Sequence, residues 1–406
     1  MPLWKRNLFV CWFGMFVTGI GMSQIAPVLP LFIKQLGISS SGEINKISGL
    51  AFGITYIVSA IFSPIWGYAA DKVRRKPMLL RASLGMGIIV FCMGFVPNVY
   101  VLIILRLLQG AITGYSTACT TLIATQTDKE HAGYALGTLS TASIAGSLLG
   151  PTIGGVIEDR IGLQPVFFIT GALMLVAFVT TLLFVKENFV REEKRQLRLK
   201  EVWNSVPEKQ LTVVLSVTFF IITLGLYTIE PIITVYVGKL SSGTSHVALI
   251  AGLVFSASGL ANVIAAPQLG RLSDKIGAHK VILFALLAAG IIYIPQAFVT
   301  NPWQLMGLRF LLGLTMGGLN PSVNILIKKI TPGSLTGRIF GITISAGYLG
   351  VFAGAVMGGQ ISAAFGIRHV FYITSALLLF NAVWVYFNIY KRLERQKPLQ
   401  CIEKGN

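Results

Sequence analysis

The chain has 406 residues, 54% of them hydrophobic and 12% charged, with a formal net charge of +18. Soluble domains carry about 25% charged residues, so a water-soluble globular protein is excluded. The positive balance raises nucleic acid as a partner, and the placement of the charges excludes that too.

Twelve apolar runs follow one another, at about 8–33, 47–68, 79–97, 99–125, 134–157, 165–185, 211–236, 247–269, 280–299, 303–327, 339–362 and 368–390. Each is close to the ~20 residues that cross about 30 Å of hydrocarbon as a helix. A membrane barrel would alternate in segments of about ten residues, and no such alternation occurs. The first run is longer than a signal-peptide core of about 7–15 residues, and no small-residue cleavage site follows it. It is read as the first span. Turn residues punctuate the runs: Pro97-Asn98, Asp128-Lys129-Glu130, Gly162, Asn301-Pro302, Pro332-Gly333 and Gly366. The one long polar segment, 186–210, joins a six-helix half at 1–185 to a second at 211–406, which ends in a short tail. Cys11, Cys92, Cys119 and Cys401 lack any paired spacing, so neither a disulfide framework nor a zinc site is expected.

An even number of spans puts both ends of the chain on one side. Lysine and arginine on that side number twenty-six, against five on the other: Lys34, Lys46, Arg160, Lys239 and Arg368. Positive charge collects on the cytoplasmic face, so both termini are expected there. The net charge is then a matter of topology and of anionic lipid. No folded basic domain remains to hold a nucleic acid.

The halves repeat. Residues 26–33 (APVLPLFI) match 230–237 (EPIITVYV) at an offset of 204, and 162–170 (GLQPVFFIT) match 366–374 (GIRHVFYIT) at 204. Arg106 and Gly110 match Arg309 and Gly313 at 203. Gly146, Gly150, Gly154 and Gly155 match Gly350, Gly354, Gly358 and Gly359 at 204. The charged turn GYAADKVRRKP at 67–77 returns as GRLSDKIGAHK at 270–280, with Asp274 answering Asp71 at 203. Two parallel repeats with a site between them form a transporter architecture, in which one half rocks on the other.

These motifs resemble those of the major facilitator superfamily over the whole chain. The turn at 67–77 resembles the family's loop between helices 2 and 3, LRLLQG at 105–110 its helix-4 arginine motif, and GSLLGPTIGG at 146–155 its helix-5 antiporter motif. WKRNL at the start, LGTLST at 136–141 and QPVFFIT at 164–170 are similar to the twelve-helix drug:proton antiporter family. The resemblance implies an all-α membrane protein with twelve transmembrane helices in two pseudo-symmetric six-helix halves. It implies a monomer in a bacterial inner membrane that exports small molecules, with protons as coupling ion and no cofactor. It gives Gly67, Asp71, Arg75 and Asp274 a gating role, with Asp71 locking the halves in the outward-facing state. It makes Gly146, Gly150, Pro151, Gly154 and Gly155 a tight face packed against the other half. Where the family has glycine, this chain has Arg74, while the second copy keeps Gly277.

With Arg81 counted among the charges of the loop at 69–81, three ionisable residues remain inside spans: Arg106, Arg309 and Glu230. Such groups are expensive in lipid and mark sites or braces. Arg106 heads a polar stripe with Gln109, Thr113, Thr117 and Thr120, open to a role in proton coupling or as a bridge to a neighbouring backbone. On span 7, Thr223, Tyr227, Glu230 and Thr234 share a helical face, and Pro231 frees the Tyr227 carbonyl. A carboxyl there can take and release a proton as its surroundings change, and it attracts cations, so Glu230 is the expected coupling group, with Arg106 or Arg309 its candidate partners. Span 1 has no acid, with Gln24, Pro27 and Pro30 in its polar part. By analogy of position, Asn262, Asn320, Asn324 and Tyr348 complete the cavity candidates.

No enzyme chemistry fits. His131, His246, His279 and His369 are far apart in loops or at helix ends, no metal-ligand spacing occurs, and no GxxxxGK[ST] loop exists to drive transport by ATP. What remains is a secondary transporter of drugs or, alternatively, of a metabolite, siderophore, sugar or lipid. A membrane sensor of the same fold is the reading from another class.

Overall fold

Residues 2–72, 74–128, 130–187, 208–241, 246–331 and 333–392 are described by a computed structural model, and among them there is no strand. Span 1 is α1 (Leu3–Ser23) and α2 (Ile25–Gln35), which meet at a 46° bend. Spans 2 and 3 are α3 (Ser41–Lys72) and α4 (Arg75–Met93). Span 4 is α5 (Val99–Ile112) and α6 (Tyr115–Gln126). Spans 5 and 6 are α7 (Ala132–Ile161) and α8 (Leu163–Phe184). Span 7 consists of α9 (Lys209–Tyr227), a 3-10 turn (Glu230–Ile232) and α10 (Ile233–Leu240). Spans 8 and 9 are α11 (Val247–Ile276) and α12 (Ala278–Gln296). Span 10 is α13 (Pro302–Met316) and α14 (Leu319–Ile330). Spans 11 and 12 are α15 (Gly333–Phe365) and α16 (Ile367–Val385), the last continued by a π turn to Tyr390. Eleven of these are long and apolar enough to cross a membrane, or twelve with the bent pair counted as one.

The turn residues act as helix boundaries for identifiable reasons. Asn98 accepts a hydrogen bond from the Val101 amide (3.1 Å) and Asn301 from that of Gln304 (2.9 Å), so each caps the helix after it. Pro302 sits in the first turn of α13, where its missing N–H costs nothing. The charged turns differ between copies: Gly277 has φ +103° while Arg74 is extended at φ −150°. A side chain at the Gly277 conformation would be strained, so the first copy has taken another path around the same corner. Linker residues 188–207, the tail beyond Arg392, and the side chains of Gly67 and Asp71 lie outside what is described.

The described chain divides into two compact units. One comprises Met1–Lys194 with Glu230–Ser256, the other Arg195–Ile229 with Ala257–Asn406. The second piece of span 7 and the start of span 8 thus belong to the first unit. There α1 packs on α7 and α8, α4 on α8, and α3 on α5. In the second unit α9 packs on α15 and α16, and α12 on α16.

Small residues make these crossings possible. A Cβ on Gly146 would lie 2.4 Å from the Phe16 carbonyl oxygen, and one on Gly350 would lie 2.5 Å from that of Phe220. On Gly110 it would lie 2.4 Å from Thr55 O, and on Gly313, 2.2 Å from Ser258 O. Every partner is displaced by the same offset as the glycine, so duplicated sequence has given duplicated local packing. Backbone contact this close is how helices associate where lipid removes the hydrophobic drive.

Gly358 and Gly341 test that packing within one helix, α15. A Cβ on Gly358 would fall 1.8 Å from Thr228 O, while one on Gly341 meets nothing within 4 Å. Gly358→Ala is expected to lose about 1–3 kcal/mol, read as a lower thermal midpoint in detergent. Gly341→Ala is expected to be neutral or to gain up to about 1 kcal/mol.

Candidate substrate and coupling site

Four spans are interrupted among the described residues: 1, 4, 7 and 10. Interrupted apolar segments at corresponding places in two halves mark the binding region of a transporter. The breaks correspond in detail. Span 1 breaks at Gln24 and span 7 at Thr228, 204 residues on. Gln24 Nε2 donates to Thr170 Oγ1 of α8, and the Thr228 and Thr374 hydroxyls are 2.7 Å apart. Thr374 is Thr170 moved by 204, so one buried polar clamp, from the first helix of each half to its last, is present twice. Thr170 and Thr374 end the matched strings of the repeat, and that was the signal that could have found them. Span 4 breaks at Thr113-Gly114, where Gly114 has φ +117°; span 10 breaks at Gly317-Gly318, where Gly317 keeps φ −56°.

Arg106 is 1% exposed. Its Nε donates to Ala51 O (2.9 Å), Nη2 to Phe52 O (3.3 Å) and Nη1 to Gln109 Oε1 (2.7 Å). Thr55 returns a bond to Arg106 O (2.9 Å). The guanidinium is thus held by carbonyl dipoles of α3 and one amide of α5, with no carboxylate partner among the described residues. That geometry is the backbone bridge, one of its two expected roles. Arg309 is likewise buried, 5.9 Å from the Tyr293 ring centroid.

Glu230 is half-buried and opens the 3-10 turn, which packs against α2 and α3. The break at Thr228 divides the expected face of span 7. Thr223 bonds to its own helix at Phe219 O (2.9 Å), while Thr234 is buried and donates to Pro27 O (3.0 Å). Thr223, Tyr227, Glu230 and Thr234 therefore form no single stripe, because Pro231 ends the helix that would have aligned them.

The polar residues of spans 4 and 10 lie on the short helices after the breaks. Ser116, Thr117 and Thr120 are exposed on α6; Asn320, Asn324 and Lys328 are exposed at successive turns of α14. Thr117 and Asn320 correspond at 203. A helix that shows hydroxyls and amides inside a span faces a water-filled space in preference to lipid. Thr113 bonds Ser59 Oγ (3.3 Å) and Gly110 O (3.0 Å). Asn262 and Tyr348 are half-buried.

At the charged turn, Glu187 caps α4. Its two carboxylate oxygens accept from Arg75 N and Lys76 N, both at 2.9 Å, and Lys76 Nζ donates to Leu182 O (2.8 Å). A carboxylate on the first amides of a helix satisfies donors the helix cannot use and meets its positive end. Sequence reading named Asp71, whose side chain lies outside what is described, and missed Glu187, which reaches the turn from just beyond span 6. Asp274 is exposed at the end of α11.

Helix 5 uses its glycines in two directions. Gly146, Gly150 and Gly154 meet α1 and Gln24. Gly155 meets Ala248, where a Cβ would be 2.6 Å from the carbonyl oxygen, and Gly252 meets Pro151 O at 2.4 Å. Around this second contact Thr152 and Ser256 share a hydrogen bond (2.8 Å), Ser256 donates to Leu148 O (2.7 Å), and His246 pairs with Asp159. Three of the five motif residues thus face the helix's own neighbour, and Pro151 and Gly155 face α11.

Sequence reading also missed Arg81. It was counted with the charged loop, but it lies in the second turn of α4, half-buried, with its guanidinium 3.4 Å from the centre of the Trp66 ring.

The family model of the Major Facilitator Superfamily matches residues 11–251 and 215–402. This chain belongs to the Major Facilitator Superfamily. Its relatives include the "Multidrug resistance protein MdtG" of Salmonella schwarzengrund and of Salmonella typhimurium. Each is 43% identical over 390 residues, covering 96% of both chains. Solved structures share the fold at low identity. A bacterial homologue of the human lysosomal transporter Spinster aligns with TM-score 0.80 at 14% identity over 96% of this chain and 97% of that one. The nucleoside transporter NupG aligns at 0.75 and 12%, over 96% and 100%. The protein is therefore a multi-pass membrane transporter.

Arg106→Lys replaces a fork by a point charge, which cannot serve Ala51 O, Phe52 O and Gln109 together. Each lost charged bond is worth roughly 1.5–3 kcal/mol. The variant is expected to lower the thermal midpoint and folded yield in detergent. An unchanged midpoint with transport abolished would instead assign Arg106 to translocation.

Proposed function

We propose that this transporter exports amphipathic, cationic or zwitterionic drugs from the cytoplasm in exchange for protons. It works as a monomer in a bacterial inner membrane with both termini inside. The observation that carries the reading is the 43% identity with proteins named for multidrug resistance over 96% of the chain. The four interrupted spans supply the means: flexible points at matched places, each beside helices that show polar groups. Glu230 is the coupling carboxyl. It starts the turn after the break in span 7, so opening that break changes the carboxyl's surroundings without unwinding the rest of the span. Proton uptake from one side and release to the other need such a change.

The contact of Pro151 and Gly155 with Ala248 and Gly252 supports a second part of the mechanism. It has small residues in backbone contact, two hydroxyl bonds and the His246–Asp159 contact. We assign it as the outer closure, separated once per cycle. Gly252→Leu is expected to hold it ajar: vesicles loaded with ethidium should leak faster than wild type without any gradient.

Coupling is tested in inside-out vesicles that hold a pH gradient. Adding ethidium or a quinolone should release protons with wild type and leave the gradient intact with Glu230→Gln of equal expression. Release that persists in the variant would remove Glu230 from coupling. No response to any drug in wild type would favour the dedicated exporter of a metabolite, siderophore, sugar or lipid.

A further inference from the structure

Arg81 has a use that bracing does not explain. Its Nη2 donates to Thr113 O (3.0 Å), but its Nε and Nη1 are buried without a hydrogen-bond partner among the described residues. Its face is covered by Trp66, whose own Nε1 is occupied by Ala111 O (2.6 Å). The two groups that hold the side chain in place therefore use neither Nε nor Nη1. Beside Nη2 the turn is open among the described residues: a Cβ on Gly114 would meet one atom within 4 Å, Arg81 Nη2 at 3.5 Å. The exposed hydroxyls of Ser116, Thr117 and Thr120 begin immediately beyond.

The broken span does not require this arginine. At an offset of 203, Arg81 corresponds to Phe284, which is 61% exposed, and Trp66 to Leu269. Span 10 is nevertheless broken at the place that corresponds to Gly114. One copy makes the break without a cation; the other keeps a guanidinium there with two donors to spare. Unused buried donors are unfavourable, and in a membrane helix the cation adds to that cost. A forked, stacked guanidinium is suited to a carboxylate, which Nη1 and the second hydrogen of Nη2, on one edge of the fork, can bind through two parallel bonds.

We propose that Arg81, held by Trp66 and the Thr113-Gly114 turn, is a subsite for the carboxylate of an amphipathic substrate. The assignment rests on the export reading for its meaning, but not for its measurement. The ligand is an aromatic or polycyclic acid or zwitterion, with its charged end at Arg81 and its body along the hydroxyl face of α6. Substrates without an anion pass by the same route and gain nothing from Arg81.

Norfloxacin and its methyl ester differ at the carboxylate, and calorimetry on the purified full chain in nanodiscs compares them directly. Wild type is expected to bind the acid at least tenfold more tightly than the ester. Arg81→Gln should bring that ratio close to one and leave ester and ethidium affinities within about twofold. Arg81→Lys should keep part of the preference. Trp66→Phe, which loosens the same turn while leaving the cation, should keep most of it. Equal binding of acid and ester by wild type, or binding of neither, would overturn the subsite. So would parallel loss of acid, ester and ethidium in Arg81→Gln, which would make Arg81 a latch for the broken span. Failure of the export reading shows elsewhere, as absent ethidium transport by wild type with the acid preference intact.

Discussion

Inside a bilayer a helix can be broken only where protein groups take over the amides and carbonyls that the break releases. This constraint decides where the chain can bend. Each bend in spans 1 and 7 lies beside a hydroxyl from the last helix of its half, Thr170 or Thr374. The bend in span 4 lies where Arg81 and Trp66 take carbonyls at 113 and 111. Glycine does the complementary work, by letting whole backbones approach until the next side chain would overlap a carbonyl. The fold is thus a set of helical segments joined at points where neighbouring side chains take up part of the polar groups that the bend releases. Such points can flex without exposing backbone to lipid.

The same constraint separates the two arginines of the first half. Every nitrogen of Arg106 has a partner: three directions of its fork end on carbonyls and an amide, and it fastens α5 to α3. The same is not true of Arg81. Charge inside the span marked Arg106 as a candidate, yet the satisfaction of its donors is what distinguishes a brace from a binding group. For Glu230 the informative fact is likewise its surroundings, a turn that exists because Pro231 cannot continue the helix.

Much of this was legible in the sequence. Apolar runs and turn residues located the twelve spans, and the offset of 203 to 204 carried over to packing partners as well as to the glycines themselves. The breaks were not legible. Gly114 sits in a run of helix-compatible residues, and nothing in ITGYST shows that φ turns positive there. Pro231 was visible, but its effect on the face shared by Tyr227 and Glu230 depends on how far the helix unwinds. Glu187 was missed for a different reason. It lies more than a hundred residues from the amides it caps, and contacts at that separation leave no pattern in a single chain. Arg81 was hidden by its company, since a cation six residues after Arg75 reads as one more loop charge.

The boundary between the two compact units has a consequence for how the protein is made. The first unit ends at Ser256 and includes nothing between Lys194 and Glu230. Six spans therefore enter the bilayer before the segment that covers Pro151 and Gly155 has been synthesised. Roughly 60 residues more must be added, which at ordinary elongation rates takes about 3–12 s. Through that interval the small-residue face of α7 stands open in the membrane, free to bind whichever helix arrives first. Insertion machinery that shields this face until span 8 emerges would protect the nascent chain from pairing with a neighbour.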